Sequence, residues 1–440
     1  MNRARRGFLP ICCYILAAAV IAAYCAWLVI KGVPGIMGIV LGLIAVVLFG
    51  VGLTRTAAAF KRREPLVLAD GKPPYILLAL WIMSINAVFI VWALMTSPGI
   101  SFFQALERIW YNTIDANNYA EIADHWYFPV EGSQLQYKIA FFPLYPVLMK
   151  GFWYIVRSMP ISGMILSSAC AYAVGLIVYK IARLELGDDC ASSAVRYLFI
   201  LPSAFFLMAP MTESLYLLPT AAFFLALIKK KRGIAAFCAF LAATSRPQGV
   251  LFVIPFAVEM IAQIKEYGIS KSLKYFPLVL SPLVGMGCYL LINFQVYGDP
   301  LYFMSVQSQH WGNSLSPFWH TPVYLAEYLQ HYLESGDTRI ALGLSVPNLL
   351  AFFGGLGLIV SGAKRLRPSL TLYSLAYFAM SFGISWLLSG PRYLCCLFPV
   401  AIAAARVRGK GRGDDLLLSF VFFVCFVAYI FLFMNRFYVY

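Results

Sequence analysis

Apolar stretches long enough to cross about 30 Å of hydrocarbon recur along almost the whole chain. Inside a bilayer every backbone N–H and C=O must find a partner within the protein, so such stretches are restricted to helices or to the strands of a closed barrel. Barrel strands alternate apolar and polar residues over about ten positions, and these runs do not alternate. Only 12% of the 440 residues are charged, against 61% hydrophobic. A soluble chain carries roughly 25% charged residues. The expectation is an all-α polytopic membrane protein.

Reading the runs in order gives about thirteen spans: 9–31, 34–53, 74–96, 161–182, 192–209, 213–229, 233–246, 248–264, 274–296, 345–363, 369–388, 394–406 and 415–435. The ranges 233–246 and 394–406 fall short of the roughly 17 residues that a full crossing needs, so both are expected to be broken or partly re-entrant. Basic residues then decide orientation. With the N-terminus inside, the segments assigned to the cytoplasm carry 25 of the 34 lysines and arginines, among them Arg3, Arg5, Arg6, Lys61, Arg62, Arg63, Lys271, Lys274 and Lys410. That bias follows the positive-inside rule. It also accounts for the net charge of +15 without nucleic acid, and it puts residues 435–440 outside.

Nine of the ten cysteines fall inside apolar runs, Cys190 falls in a loop assigned to the cytoplasm, and none lies in an outer loop. No disulfide framework is indicated. Arg3, Arg5 and Arg6 ahead of an apolar stretch resemble a signal peptide. The stretch runs to about Ile30, too long for such a segment, and Tyr24 before Cys25 spoils a lipoprotein cleavage site; a retained first span is expected. Residues 1–73 read as an N-terminal pair of spans with a basic cytoplasmic loop, ahead of a main membrane domain over 74–440.

Two outer loops are long enough to build a site, from about Ser97 to Lys138 and from about Tyr297 to Ile340. They hold His125, His310, His320, His331, Trp110, Trp126, Trp311 and Trp319. Tryptophans at such borders also serve as interfacial anchors. In the first loop, a helix over 114–123 would put Asp115, Tyr119 and Ile122 on one face at i, i+4 and i+7. Asp124 would point the opposite way. This favours one working carboxylate beside an aromatic over a paired-carboxylate hydrolase site. The segment from Ile139 follows, with Pro143 and Pro146 among Phe141, Phe142 and Tyr145. Pro146 is expected to interrupt a helix, giving a juxtamembrane element whose aromatic surface suits a polyprenyl chain or plain interfacial packing.

Ionisable groups near membrane depth are costly unless paired or wet, which makes them functional candidates. Glu213 falls at the outer edge where two spans meet, and Arg246 interrupts an apolar hairpin at the same level. Either they form a structural ion pair, or Arg246 faces a lipid phosphate, whose oxygens suit a planar guanidinium. Arg392, in Ser389-Gly390-Pro391-Arg392-Tyr393, is a second phosphate candidate. Gly298-Asp299-Pro300 reads as a turn that opens the loop carrying Gln307, His310 and Trp311. The histidines lack metal-ligand spacing, and no Cys-x-x-Cys, Walker or Gly-x-Gly-x-x-Gly motif occurs.

Taken in order, these pieces resemble the PIG-V-type mannosyltransferases, relatives of the enzyme that adds the second mannose to GPI anchors, within the GT-C glycosyltransferase fold. The matching pieces are Asp115-Ala-Asn-Asn-Tyr119-Ala-Glu-Ile122-Ala123, Ala140-Phe-Phe-Pro-Leu-Tyr-Pro146, Thr212-Glu-Ser-Leu-Tyr216, Ser245-Arg-Pro-Gln-Gly249, Gly298-Asp-Pro-Leu301 with His310-Trp-Gly312, and Pro391-Arg-Tyr-Leu394. The family usually has tryptophan before the acidic residue, where this chain has Ile114, and often an aromatic where it has Asn118. The resemblance implies a GT-C-like bundle with two long outer loops, which moves a mannosyl residue from polyprenyl (dolichyl) phosphate to a lipid or glycan acceptor at the outer or lumenal face, inverting the anomeric centre. By that resemblance Asp115 is the general base. Arg246 and Arg392, with Lys138 and His310 as further candidates, meet the leaving phosphate, and Tyr119, Asp124, Tyr145, Glu213, Gln307 and Trp311 are substrate-site candidates. No cofactor is required, and a divalent metal is left open. So are two alternatives, another lipid-phosphate sugar and a lipid-linked saccharide transporter. The setting implied is a bacterial cytoplasmic membrane, with the ER membrane as the alternative.

Overall fold

Long runs of leucine, isoleucine, valine, phenylalanine and alanine, with little proline inside them, form the helices that their composition favours. The computed structural model describes residues 8–31, 35–60, 71–111, 115–128, 134–268, 275–409 and 411–439. The basic residues Arg3, Arg5, Arg6, Lys61, Arg62, Arg63, Lys271, Lys274 and Lys410, and the motif residue Ile114, lie outside the described residues, as does Tyr440. The first helices are α1 (Phe8–Lys31), α2 (Ile36–Ala59), α3 (Tyr75–Thr96), α4 (Phe102–Tyr111), α5 (Ala116–His125), α6 (Leu144–Val156) and α7 (Met159–Leu186). Next come α8 (Asp188–Ile200), α9 (Glu213–Ile228), α10 (Arg232–Ser245), α11 (Val253–Tyr267), α12 (Ser281–Tyr297), α13 (Tyr302–Gln309) and α14 (Thr321–Glu334). The chain closes with α15 (Thr338–Gly362), α16 (Pro368–Phe382), α17 (Gly390–Cys395), α18 (Pro399–Ala405) and α19 (Arg412–Met434). Among the described residues the only extended pairing is an isolated antiparallel bridge between Leu315 and Ile384.

Seven of the helical segments among the described residues are long and apolar enough to cross a membrane, and shorter apolar helices accompany them. The chain is an integral membrane protein. All thirteen expected ranges overlap helices; 233–246, expected from its length to be broken, is the single continuous helix α10, whose small apolar residues pack against its neighbours. The range 394–406 divides between α17 and α18, and 248–264 begins as a 3₁₀ turn over Pro247–Phe252 before α11. Cys190 lies in α8 and is buried rather than placed in a loop. Pro146 does not interrupt a helix. Pro143 is the N-cap of α6 and Pro146 falls in its first turn, where a proline removes no helical hydrogen bond.

The outer surfaces of α1, α3 and α19 carry exposed large side chains such as Val29, Ile76, Leu77, Met83, Leu417 and Phe420, the apolar belt expected against lipid. The polar anchors gather elsewhere. At the C-terminal end of α7 and beside α8, Arg367 pairs with Glu185 at 2.7 Å and Arg196 with Asp415 at 2.6 Å. At the N-terminal end of α7, Tyr145 donates to the Gly163 carbonyl at 3.1 Å. Gly163 and Glu185 are separated by about 33 Å of helix at 1.5 Å per residue. The two groups of polar contacts therefore stand at opposite ends of a membrane-length helix.

Candidate active site

Four of the candidate residues meet in one chain of charges: Asp115, Arg392, Glu213 and Arg246. Each is delivered by a break in regular structure. Asp115 is the N-cap of α5, with φ −65° and ψ −2°, and its carboxylate caps nothing in its own helix. Tyr119 and Ile122 are buried on the face it begins, as the i, i+4, i+7 spacing predicts. Glu213 is the first residue of α9, where a carboxylate suits the positive end of the helix dipole. Arg246 ends α10 in an extended conformation, φ −155° and ψ 152°. Arg392 sits in the short α17 after Pro391, whose carbonyl accepts from Ser203 Oγ at 2.5 Å.

The Arg392 Nη2 donates to Asp115 Oδ2 at 2.9 Å, and its Nε lies 3.1 Å from Glu213 Oε1 without hydrogen-bond alignment. Arg246 Nη2 donates to the same Glu213 oxygen. Glu213 therefore sits between two arginines, fully buried, while its other oxygen has no partner among the described residues. The chain holds two carboxylates against two guanidiniums and is balanced as it stands. Burial alone would lower the pKa of Arg392, but the Asp115 and Glu213 carboxylates outweigh it and hold the group protonated.

The two arginines differ in what they have left to offer. Arg246 is spent on protein partners: Nε on Thr212 Oγ1 at 2.8 Å, Nη1 on Cys396 Sγ at 3.3 Å, and Nη2 on Glu213. Arg392 engages Asp115 through Nη2, and among the described residues its Nη1 has no hydrogen-bond acceptor. Thr212 also lies 3.3 Å from the Tyr119 hydroxyl, which links α5 to the arginines. Burial pushes the Tyr119 phenol above its ordinary pKa despite the opposing charge of Arg246. Tyr119 stands edge-on to Phe141 and Tyr145, and Tyr145 reaches Ser167 Oγ at 2.9 Å.

The remaining candidates are held apart from this chain. Lys138 pairs with Glu121, whose second oxygen accepts from Asn117 at 2.5 Å. Asp124 pairs with Lys150 at 2.7 Å, on the face of α5 turned away from Tyr119. The His310 ring stacks on Tyr137 at 3.6 Å, and Trp311 Nε1 donates to the Tyr137 carbonyl at 3.2 Å. Gln307 is half-buried, and its carbonyl accepts from Asn313. Gly298 takes φ +75° at the end of α12, and Asp299 closes the expected turn by accepting from Leu301 N–H at 2.9 Å.

Sequence reasoning did not single out Thr212 or Cys396 as partners of Arg246. Thr212 stands beside the acidic residue of its motif, a signal that was present. The Arg246–Cys396 contact joins residues 150 positions apart, and no local pattern announces it.

No family model and no curated protein matches this chain. Among solved structures it is similar to ArnT from Cupriavidus metallidurans bound to undecaprenyl phosphate, at 13% identity and a TM-score of 0.44, over 77% of this chain. The chain spans 62% of the length of that protein.

Proposed function

We propose that this protein is a glycosyltransferase that takes a sugar, mannose in the first instance, from a polyprenyl phosphate and passes it to a hydroxyl of a lipid or glycan acceptor at the outer membrane face. The observation that carries this reading is the Asp115–Arg392 contact. It joins the one candidate base to the guanidinium with donor capacity left, among groups buried beside apolar helices. In the reaction the acceptor O–H gives its proton to Asp115, and its oxygen forms the new bond to the anomeric carbon. The bond from that carbon to the phosphate oxygen breaks, and its electron pair leaves with the polyprenyl phosphate. Displacement in a single step inverts the centre.

Charge accumulates on the leaving phosphate, so a guanidinium already in place is worth more than one that must be recruited. Arg392 suits that role, bonding phosphate oxygens in the planar mode. Arg246, fully engaged, acts through Glu213 as a positioning residue that fixes Arg392. General-base assistance from Asp115 contributes roughly 10²–10⁴-fold. Half-buried Phe141, backed by the buried Tyr119 and Tyr145, offers aromatic surface to the first units of the prenyl chain, with Trp311 edge-on to it and His310 against Trp311.

The test is transfer from radiolabelled polyprenyl-phosphate mannose by Arg392→Lys protein in membranes. A point charge replaces the fork, so donor KM rises and the rate falls by about 10–100-fold. Wild-type and variant rates that coincide would remove Arg392 from the donor site. No transfer from the mannosyl donor, with transfer from a glucosyl or aminoarabinosyl donor, would change the sugar and leave the reaction class standing.

A further inference from the structure

On the side of α5 away from the arginines, a cavity of about 320 Å³ opens between α4, α5, α6 and the start of α7. Its volume is at the lower end of small-molecule sites, which run from roughly 300 to 1,000 Å³. Asn117, Glu121 and Asp124 line it at i, i+4 and i+7 of α5, so one helix face builds one wall. Phe103, Trp153 and Met159 supply apolar surface opposite, and Glu107 and Arg157 stand at its polar edge. Three carboxylates thus face it against one guanidinium, in a chain whose net charge is +15.

Two of those carboxylates are already paired, Glu121 with Lys138 and Asp124 with Lys150. Glu107 is exposed and has no ion-pair partner among the described residues. The Tyr111 hydroxyl, also at this cavity, is enclosed without a hydrogen-bond partner, and burial, Glu107 and Asp124 raise its pKa. With those two carboxylates neutralised by lysines and Glu107 balanced by Arg157, the lining gives a formally charged ligand no net advantage. Hydroxyl donors suit it: carboxylate and amide oxygens accept from them, and an aromatic wall covers the C–H face of a sugar ring. Asn117, on this wall, and Asp115, at the start of the same helix, are two residues apart, so an acceptor held here reaches Asp115 around the N-terminal end of α5.

We infer that this cavity binds the uncharged, polyhydroxylated part of the acceptor, a saccharide headgroup, on the side of α5 opposite the donor phosphate. The inference rests on the transferase reading, and it divides the labour of one short helix. Its Tyr119 face meets the donor, its N-terminal carboxylate takes the proton of the attacking hydroxyl, and its Asn117–Glu121–Asp124 face holds the acceptor sugar.

The test uses the full chain in nanodiscs and saturation-transfer NMR, with methyl α-D-mannopyranoside and myo-inositol as neutral probes and ethanolamine as a cationic one. Wild type transfers saturation to the neutral polyols. Glu107→Arg, a change at an exposed site that leaves the fold intact, weakens them by about tenfold through loss of a charge-assisted acceptor. Ala120→Phe fills the cavity and removes the signal. Arg392→Lys leaves it unchanged. Absence of polyol binding to wild type, or binding indifferent to both cavity variants, would overturn the proposal. So would binding of ethanolamine alone, which would make the cavity a cation site. Polyprenyl phosphate binding, measured in the same nanodiscs, separates the two readings. Its absence beside intact polyol binding defeats the donor assignment and leaves the cavity assigned.

Discussion

At the scale of single residues, Glu213 is the one on which the site depends most. It is buried and shared by Arg246 and Arg392, so removing its charge takes from Arg246 its carboxylate and leaves Arg392 with Asp115 alone. Breaking a buried pair in this way costs about 3–5 kcal/mol. Glu213→Gln is therefore expected to lower the melting temperature in detergent markedly, whereas Asp124→Asn, at a half-exposed surface pair, leaves it nearly unchanged. Equal effects from the two substitutions would contradict the account of Glu213. Sequence reasoning identified Asp115, Glu213, Arg246 and Arg392 as candidates because charged residues are rare in this chain and costly in membranes. It left open whether Glu213 and Arg246 pair structurally or Arg246 faces a phosphate. The geometry gives Arg246 three protein partners and leaves Arg392 the one with donors to spare. That ranking depends on contacts across 277 residues of chain, which spacing does not encode.

At the scale of elements, the site is made from ends. α5 begins at Asp115, α9 at Glu213, and α10 stops at Arg246 so that the next turn can double back. Gly249 makes that return possible. A Cβ there would lie 2.3 Å from the backbone of Ala243, inside the reach of any real contact. Gly249→Ala is expected to push the turn off α10, displace Arg246, and reduce both thermal stability and transfer. A variant that keeps wild-type stability and rate would show that the turn has room to move. Most helices were legible from apolar run length, including α9 and α10 nearly to their ends. The interruption at 394–406 was readable from its length alone. Pro146 was misread because the sequence does not say whether a proline falls inside a helix or in its opening turn.

At the scale of the whole molecule, the N-terminal helices are tied to the segment from Phe318 to Phe382. α2 packs on α14, α15 and α16, and Trp27 of α1 lies against His320, 5.5 Å between ring centres. Burial lowers the His320 pKa, Glu327 opposes that, and Lys31 adds to it. The sign follows from linkage: the folded state prefers neutral imidazole, so the unfolded chain binds the extra proton first as pH falls below about 6.5. Stability should drop through that window, and His320→Gln should flatten the dependence. A melting temperature that rises on acidification, or the same slope in the variant, would contradict it. The membrane class was plain from composition because charge is so scarce; the way the first two helices join the rest was not, since lipid-facing and protein-facing apolar residues look alike in sequence.

The proposed reaction turns on Asp115 taking the acceptor's proton. Membranes carrying wild type or Asp115→Asn, given radiolabelled polyprenyl-phosphate mannose and endogenous acceptors, test it most directly. A general base at this position means a loss of at least about 100-fold in transfer, with protein level and polyprenyl phosphate binding retained. Transfer at the wild-type rate would contradict it and remove Asp115 from the chemistry.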